Sequence, residues 1–495
     1  MAAFRKLIAN PGTDGTAGRM EAARLMGEVD DPEFPGYLSK LIREDSSIPV
    51  IQEALAAAGK RKDPTLLREV IMRLCCPKTK SWARRALIEY GEAAVEPLRE
   101  ALLDSNLPRD IRLGIPRTLS KIASPAALDA LLSGLNQEDG SLRYRIILGL
   151  EEMARRLPNL RIDRAVIEMA IVAEASRYYH RFLTFFVLFG DDNNHSMNNG
   201  SLLHQALLEN MEREKERVLR LLSLIYPPED IGSATAALRS DIPAKQAQAI
   251  EFLDNLLTGD VKRYVFPLYD DAPDAERFQK LLALLGLRSF DRETAFQELL
   301  KQDDVWLKAA TFWEIGLRGL RDFRGEIQQY LKSKNPVLKE TAALCCQGSN
   351  LSTKKNLTTI EKVIFLKSVD IFEHATVEQL GRIAAFTEEV HFEPGEIIFN
   401  EGEPGDAFYL LLNGRVFIER SGNILREMKE KEAFGTLEVL DFHPRAVTAK
   451  AVDQVRALKL NGEGFHDLLS LDIEMVQAVF RMLCGLVRRI LTLVP

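Results

Sequence analysis

Apolar side chains recur with helical spacing along the first 150 residues, in runs separated by glycine, proline and short polar turns. A leucine stands late in each of four successive runs, at intervals of 31 or 32 residues: Leu55, Leu87, Leu119 and Leu150. One period is long enough for two short helices, and a single helix pair cannot bury its own apolar face. The pattern therefore predicts stacked helix pairs, that is, an α-solenoid.

The unit around residues 54–74 illustrates the repeat. Small side chains at Ala54 and Ala57 allow neighbouring helices to approach closely, and Gly59 is interpreted as the end of the first helix. The second helix carries an apolar stripe formed by Leu66, Leu67, Val70 and Leu74. These units resemble HEAT repeats.

The repeat becomes less regular towards the middle of the chain. Equivalent helix starts recur at 306–311 and 337–342, which lie 31 residues apart. We therefore expect a HEAT-like solenoid over 1–155 and an irregular helical continuation over 156–347. A polar segment with paired lysines, 348–359, is the expected linker into the last domain.

A run of Asn, Asp and Gly residues interrupts the continuation at 189–201. Its Asp191, Asp192 and His195 are candidate ligands of a cation. However, the run lacks the alternating acidic positions and the closing glutamate of a calcium loop. An exposed loop is the favoured interpretation.

Beyond residue 360 the pattern changes from a helical period to short runs separated by glycine turns. The turns lie at 394–395, 402–405, 413–414 and 421–423. Their spacing of roughly 8–12 residues is typical of a small antiparallel barrel or jelly roll. The fold class expected for the chain is therefore multidomain α + β, with an N-terminal α-solenoid and, over 360–495, a β-barrel with flanking helices.

Several short motifs occur in a fixed order through this barrel. They are Pro394-Gly395-Glu396, Glu401-Gly402, Gly405-Asp406, Phe408-Tyr409, Asn413-Gly414 and the segment FGTLEVLDFHPRAVT, which begins at Phe434. In this order they resemble the cyclic-nucleotide-binding domain of catabolite-activator proteins and of the regulatory subunits of cyclic-AMP-dependent kinase. The last segment corresponds to the phosphate-binding cassette of that family.

The resemblance implies a ligand site formed by Gly435, Thr436, Leu437, Arg445, Ala446 and Val447. A cyclic phosphodiester carries one negative charge, which a fixed guanidinium and backbone amides can pair inside a barrel. Arg445 is the expected phosphate ligand, and Gly435 lets the backbone approach the sugar closely. A cyclic nucleotide is thus the implied ligand, while no metal or other cofactor is expected.

One position departs from the family pattern. Thr436 stands where the family has a glutamate that binds the ribose 2′-hydroxyl, and such a charge-assisted hydrogen bond is worth about 1.5–3 kcal/mol. Glu438, two residues on, is expected to point to another side of the helical turn. Three alternatives stay open: a weakened nucleotide site, a site for a ligand that needs no 2′-hydroxyl contact, or a pseudo-site kept for protein interaction.

The last predicted helix, 473–493, carries a broad apolar stripe. The stripe consists of Met475, Val476, Val479, Met482, Leu483, Leu486 and Ile490. Packing against the barrel explains part of it, and a homodimer or partner surface is the alternative. The DNA-reading helix-turn-helix of the family's transcription factors is not expected here.

Charge and cysteine content narrow the choice of partner and compartment. The whole net charge of −7 lies in residues 356–495, which contain 15 Lys+Arg and 22 Asp+Glu. The first 355 residues contain 50 Lys+Arg and 50 Asp+Glu and are therefore neutral. Neither part has the basic surface of a nucleic-acid binder. The five cysteines, two adjacent pairs and a singleton, fit neither a disulfide framework nor zinc spacing, which favours a reducing, cytoplasmic location.

These observations favour a non-enzymatic regulatory or scaffold protein, whose solenoid binds a protein partner and whose barrel senses a cyclic nucleotide or related small anion. The alternative is a purely structural assembly protein with a degenerate barrel. No Walker loop, zinc His-Glu pattern or nucleophile elbow occurs in the sequence. The combination of domains also resembles bacterial proteins that fuse both to a membrane domain similar to ATP/ADP translocases. That resemblance implies a membrane-protein partner and a location peripheral to the membrane as a further alternative.

Overall fold

The computed structural model describes residues 15–157, 159–190, 201–347, 356–372 and 375–471, with a few isolated positions beyond. The chain forms two compact units, Met1–Phe182 with Met211–Arg288 and Leu183–Asn210 with Ser289–Pro495. The domain bounds expected from the sequence stay a prediction. Within the described ranges, no helix is long and apolar enough to cross a membrane.

Helices joined by short turns build the first unit. Up to residue 157 they are α1 (Thr16–Met26), α2 (Phe34–Glu44), α3 (Ile48–Arg61), α4 (Leu67–Met72), α5 (Lys80–Tyr90), α6 (Val95–Leu103), α7 (Arg109–Ile122), α8 (Pro125–Ser133) and α9 (Gly140–Arg156). Then come α10 (Arg164–Phe189) and α11 (Leu202–Leu222), which cross the boundary between the units, and α12 (Pro228–Leu238), α13 (Pro243–Leu256), α14 (Gly259–Val265) and α15 (Asp274–Leu285). Short 3₁₀ segments lie at Pro64–Leu66, Arg73–Cys75, Gly91–Ala94 and Phe266–Tyr269. Helices α1, α3, α5, α7 and α9 pack side by side in chain order, which confirms the predicted solenoid.

Gly59 allows two helices of the solenoid to pack closely. Gly59 lies inside α3, so its interpretation as the end of that helix is wrong; the helix ends at Arg61, and Lys62 adopts the left-handed conformation. A methyl group on Gly59 would lie 2.9 Å from the Ala86 backbone of α5. A side chain here would therefore push successive helices of the solenoid apart.

Two arginines stand at equivalent places near the starts of α7 and α9. Arg112 donates to the Leu102 carbonyl at 3.1 Å, and Arg143 donates to the Gln137 and Glu138 carbonyls at 2.7 Å each. Each guanidinium thus satisfies backbone oxygens that precede its own helix. The recurrence of these arginines in the sequence reflects a structural contact of the repeat.

Arg143 is also part of a buried ionic cluster. Its guanidinium pairs with the carboxylate of Glu174 on α10, and Arg217 on α11 donates to the same carboxylate at 2.8 Å. Burial alone would raise the pKa of Glu174, but the charges of Arg217 and Arg143 outweigh burial and lower that pKa to about 2. The cluster therefore holds the solenoid helices together through an ionised carboxylate.

The second unit contains helices and a β-sandwich. Its helices are α16 (Arg292–Lys301), α17 (Val305–Arg318), α18 (Arg324–Gln328), α19 (Pro336–Gln347), α20 (Thr359–Lys367), α21 (Val377–Ala385), α22 (Thr436–Asp441) and α23 (Gly462–Leu471), with 3₁₀ segments at Gln329–Lys332 and Asp370–Phe372. Its strands are β1 (Thr387–Phe392), β2 (Ile397–Phe399), β3 (Ala407–Asn413), β4 (Val416–Arg420), β5 (Asn423–Met428), β6 (Ala433–Phe434), β7 (Thr448–Ala451) and β8 (Val455–Asn461). They form two antiparallel sheets, in the orders β1-β8-β3-β6 and β2-β7-β4-β5, which confirms the predicted small antiparallel fold.

An apolar core lies between the two sheets. It consists of Phe399, Tyr409, Leu411, Val416, Met428, Phe434, Ala449, Ala451, Val455 and Ala457. The rings of Tyr409 and Phe434 stack with their centroids 5.3 Å apart. This aromatic part of the core lies at the start of the cassette.

The helix that precedes the sandwich is tied to other helices of the same unit. A methyl group on Gly381 of α21 would lie 1.8 Å from the Trp306 ring of α17, so these helices touch. The backbone amide of Val377, at the start of α21, donates to the Glu209 carboxylate at 2.9 Å. A movement of α21 would therefore be transmitted to α17.

Three sequence-based predictions lie outside the described residues. They are the cation-ligand alternative at Asp191, Asp192 and His195, most of the 348–359 linker, and most of the apolar stripe of the last helix, on which the homodimer alternative rests.

Candidate ligand-binding cassette

The cassette runs from β6 through α22 to β7. Gly435 follows β6 with a φ of 71°, a left-handed conformation that favours glycine, and α22 begins at the next residue. A methyl group on Gly435 would lie 2.6 Å from Nη1 of Arg445. Glycine at this position therefore makes room for the guanidinium as well as permitting the turn.

Arg445 lies almost fully inside the sandwich, with 2% of its surface exposed. Nη1 donates to the Gly435 carbonyl at 3.0 Å, and Nη2 donates to the Ala407 carbonyl. The guanidinium carbon lies 4.2 Å from the ring centroid of Phe399, a cation–π contact. Nε has no hydrogen-bond partner among the described residues. The result is a rigidly held cation whose donor capacity is not exhausted.

Two carboxylates lie near this cation without forming a close pair. Glu438 Oε2 is 3.7 Å from Nη1, and Asp406 Oδ1 is 3.6 Å from Nη2. The other oxygen of Glu438 accepts a long hydrogen bond, 3.5 Å, from the Ala446 amide. Glu438 thus lies between the guanidinium and the amide that were expected to hold a phosphate.

The structure brings part of the predicted set together. Arg445, Gly435 and the Ala446 amide converge, and Thr436 is the first residue of α22. The Leu437 side chain is 59% exposed, and Val447 packs against the apolar core of the sandwich. The ligand-binding roles of all six residues stay a prediction.

Sequence reasoning missed Phe399 and Ala407, and it named Glu438 without placing it beside Arg445. Phe399 and the Ala407 carbonyl contact the guanidinium directly, and Glu438 faces it. A methyl group on Gly405 would lie 2.5 Å from the Glu438 Cβ, a close approach that only the structure reveals. Phe399 gave no signal in the sequence, because an aromatic residue in a strand is ordinarily interpreted as part of the apolar core.

The cassette helix contacts the helix that follows the sandwich. His466 Nε2 donates to the Val439 carbonyl at 2.7 Å, and the rings of His466 and Phe442 stack with centroids 4.5 Å apart. A methyl group on Gly464 would lie 2.9 Å from Phe386, the residue after α21. Contacts therefore run from α22 through α23 to α21.

A concave region lies in the first unit. A cavity of about 730 Å³ opens between α9, α11 and α12, and its lining is mainly apolar. Burial raises the pKa of Glu151 in this lining, although Arg220 pairs with that carboxylate at 2.9 Å. Because its charges pair with one another, this cavity suggests no particular ligand. In the part of the chain that the structure describes, no cluster of His, Cys, Asp and Glu is arranged to hold a metal ion.

Comparison with known families assigns both regions. Residues 389–472 match the model of the cyclic nucleotide-binding domain. The C-terminal sandwich is a cyclic nucleotide-binding domain. Residues 65–151 match the model of HEAT repeats, in the region where the helix pairs stack. The resemblances to HEAT repeats and to the cyclic nucleotide-binding domain are thereby confirmed, whereas the resemblance to fusions with a translocase-like membrane domain stays a prediction.

The relatives of the cyclic nucleotide-binding domain include regulatory proteins. The chain is 38% identical over 107 residues to a cAMP-dependent protein kinase regulatory subunit of Emericella nidulans, covering 21% of this chain and 26% of that protein. It is 28% identical over 112 residues to the corresponding subunit of Dictyostelium discoideum, covering 21% and 34%. It is 32% identical over 129 residues to a CRP-like cAMP-activated global transcriptional regulator of Mycobacterium tuberculosis, covering 25% and 58%. The chain thus spans less than two thirds of each of these relatives.

Proposed function

We propose that this chain is a non-enzymatic regulatory protein. Its C-terminal domain binds a cyclic nucleotide or a related small anion, and its HEAT solenoid binds a protein partner. The observation that carries the proposal is Arg445, a buried cation that two carbonyls and an aromatic ring hold in place. Burying a charge is costly unless it is paired, and the two nearby carboxylates stay beyond hydrogen-bond distance. A singly charged phosphodiester is a fitting counterion.

The proposed site binds more weakly than one with the family's glutamate. Thr436 offers one hydroxyl where a carboxylate would accept a charge-assisted hydrogen bond from the ribose. That difference corresponds to roughly a tenfold to hundredfold loss of affinity. The chain is therefore suited to a ligand present at high concentration, or to one recognised mainly through its phosphate.

Ligand binding would be transmitted through packed helices. A phosphate bound between Arg445 and the Ala446 amide would displace the Glu438 carboxylate and shift α22. Because α22 contacts His466 of α23, and Trp306 packs on Gly381 of α21, the shift would reach the helices that precede the sandwich. A ligand acts this way only if it binds one helix arrangement more tightly than the other.

Calorimetric titration of the full chain with cyclic AMP and cyclic GMP tests the sensor part. Thr436→Glu restores the family's carboxylate and is expected to raise affinity about tenfold to a hundredfold. Asn423→Glu is the matched control, since it adds the same charge at the exposed first residue of β5, and should leave affinity unchanged. Absence of heat from both the natural chain and Thr436→Glu at millimolar nucleotide would refute nucleotide sensing.

One observation favours the alternative of a structural protein with a degenerate domain. Glu438 already provides a negative charge near Arg445 and an acceptor for the Ala446 amide. If this internal carboxylate is the permanent counterion, the domain serves assembly and needs no ligand. Partner binding would then be identical with and without nucleotide.

A further inference from the structure

Four cationic side chains lie on three adjacent helices of the first unit. Lys80 and Arg84 lie one turn apart on α5, Arg117 lies on α7 and Arg145 on α9, and α7 packs against both neighbours. Burial, followed by the charges of Arg117 and Arg145, lowers the pKa of Arg84 to about 10. Burial and the charges of Arg145 and Arg84 likewise lower the pKa of Lys80, although Asp110 acts in the opposite direction. These four residues form the basic cluster.

The basic cluster has no close ion-pair partner among the described residues. Within the described ranges, none of its four cationic groups forms an ion pair, and Nε of Arg84 is buried without a hydrogen-bond partner. Exposed arginines nearby behave differently: Arg85 pairs with Glu89 at 3.3 Å, and Arg99 pairs with Glu96 at 2.9 Å. Among the described residues, the repulsion in the cluster is therefore offset only in part, by the charge of Asp110 acting on Lys80.

Such an arrangement destabilises the fold, because like charges that are partly removed from water repel one another. The repeat does not need it, since Arg112 and Arg143 already make the recurring backbone contacts. Perturbed, unpaired charges that reduce stability are characteristic of binding surfaces. The missing negative charge is best supplied from outside.

We propose that the basic cluster is a docking site for an acidic segment of a protein partner. This inference rests on the proposed function, because it names the chemistry of the partner that the solenoid binds. Three adjacent helices span about 20 Å, which an extended segment of about six residues can follow. Nucleic acid is the less fitting occupant, since the first 355 residues balance at 50 positive and 50 negative side chains and lack the net positive charge typical of a nucleic-acid binder.

Fluorescence anisotropy of the full chain tests the docking site. The probe is a labelled peptide of about twelve residues that alternates glutamate and serine, a length sufficient to cross the three helices. Binding is expected at low ionic strength and should weaken as salt is added. Arg84→Glu/Arg117→Glu should lower affinity at least about tenfold, because two attractions become repulsions. Arg85→Glu/Arg99→Glu, which makes the same change in net charge, should stay within about twofold of the natural chain.

A second variant separates docking from folding. Arg84→Gln/Arg117→Gln removes the repulsion without reversing it, so the Tm should stay unchanged or rise while peptide affinity falls. A cluster with a purely structural role would instead lower the Tm when neutralised.

Three outcomes would overturn the docking site. They are no peptide binding by the natural chain, equal binding by all variants, and tighter binding of a single-stranded oligonucleotide of equal charge. Cyclic-nucleotide titration of the same preparations distinguishes the two proposals. If the peptide does not bind but the nucleotide does, only the docking site is refuted. If the nucleotide does not bind but the peptide does, only nucleotide sensing is refuted.

Discussion

Two arginines, Arg143 in the solenoid and Arg445 in the sandwich, are almost equally buried, at 1% and 2% exposed, and yet differ in their surroundings. Arg143 pairs directly with Glu174 and with two carbonyls, so its charge is balanced within the chain. Arg445 is held by carbonyls and a ring, while the nearest carboxylates stay at 3.6 and 3.7 Å. Burial of an arginine alone therefore does not mark a ligand site. What distinguishes the two is how closely a carboxylate of the chain approaches the guanidinium.

The largest expected effect on stability comes from removing the charge of Glu174, which pairs with Arg143. Glu174→Gln keeps the shape of the side chain but leaves Arg143 and Arg217 buried without their shared carboxylate, which should cost about 3–5 kcal/mol of unfolding free energy. Urea denaturation measures the loss. Glu168→Gln, on the same helix, breaks only an exposed pair with Arg164 and should cost less than about 1 kcal/mol. Similar losses for both variants would contradict the distinction.

Acid should weaken the same site through the titration of Glu174. Its pKa is lowered from 4.5 to about 2 in the folded chain, because Arg217 and Arg143 outweigh the effect of burial. The ionised carboxylate therefore contributes fully above about pH 4.5, and its contribution is lost as the pH falls towards 2, on the order of 3 kcal/mol in total. Unfolding of the natural chain and of Glu174→Gln across this range isolates the contribution. Parallel stability curves would show that Glu174 does not titrate with folding.

At Arg445, the main effect of a substitution should be on nucleotide affinity. Arg445→Met keeps an apolar side chain over Phe399 but removes the cation. Nucleotide affinity should fall about a hundredfold, because two charge-assisted hydrogen bonds to the phosphate are lost. The Gly435 and Ala407 carbonyls lose their donor, which should cost about 1–3 kcal/mol of stability. Calorimetry and urea denaturation on one preparation separate the two effects. Unchanged nucleotide affinity would remove Arg445 from the site.

The sequence was sufficient for much of the fold and for the identity of Arg445. Solenoid and sandwich were predictable because Leu55, Leu87 and the glycine turns carry local, repeated signals. The surroundings of Arg445 were not, since Phe399 and Ala407 lie far from it in the chain and meet it only through tertiary packing. Likewise, a glycine that ends a helix and one that contacts a neighbouring helix look alike in sequence, which is why Gly59 was misread.

The smallest expected effect tests whether Glu438 competes with a bound anion. Its carboxylate lies 3.7 Å from Arg445 and accepts from the Ala446 amide, so a phosphate must displace it. Glu438→Gln removes the negative charge with little change in size, and should raise nucleotide affinity about fivefold, the equivalent of about 1 kcal/mol for a partly screened pair. Asp406→Asn is the matched comparison, because that carboxylate is similarly distant but mostly exposed, and should change affinity less. If Glu438→Gln instead lowers affinity, the carboxylate takes part in binding the ligand. The charge of Arg445 is then not the main source of nucleotide affinity in the cassette.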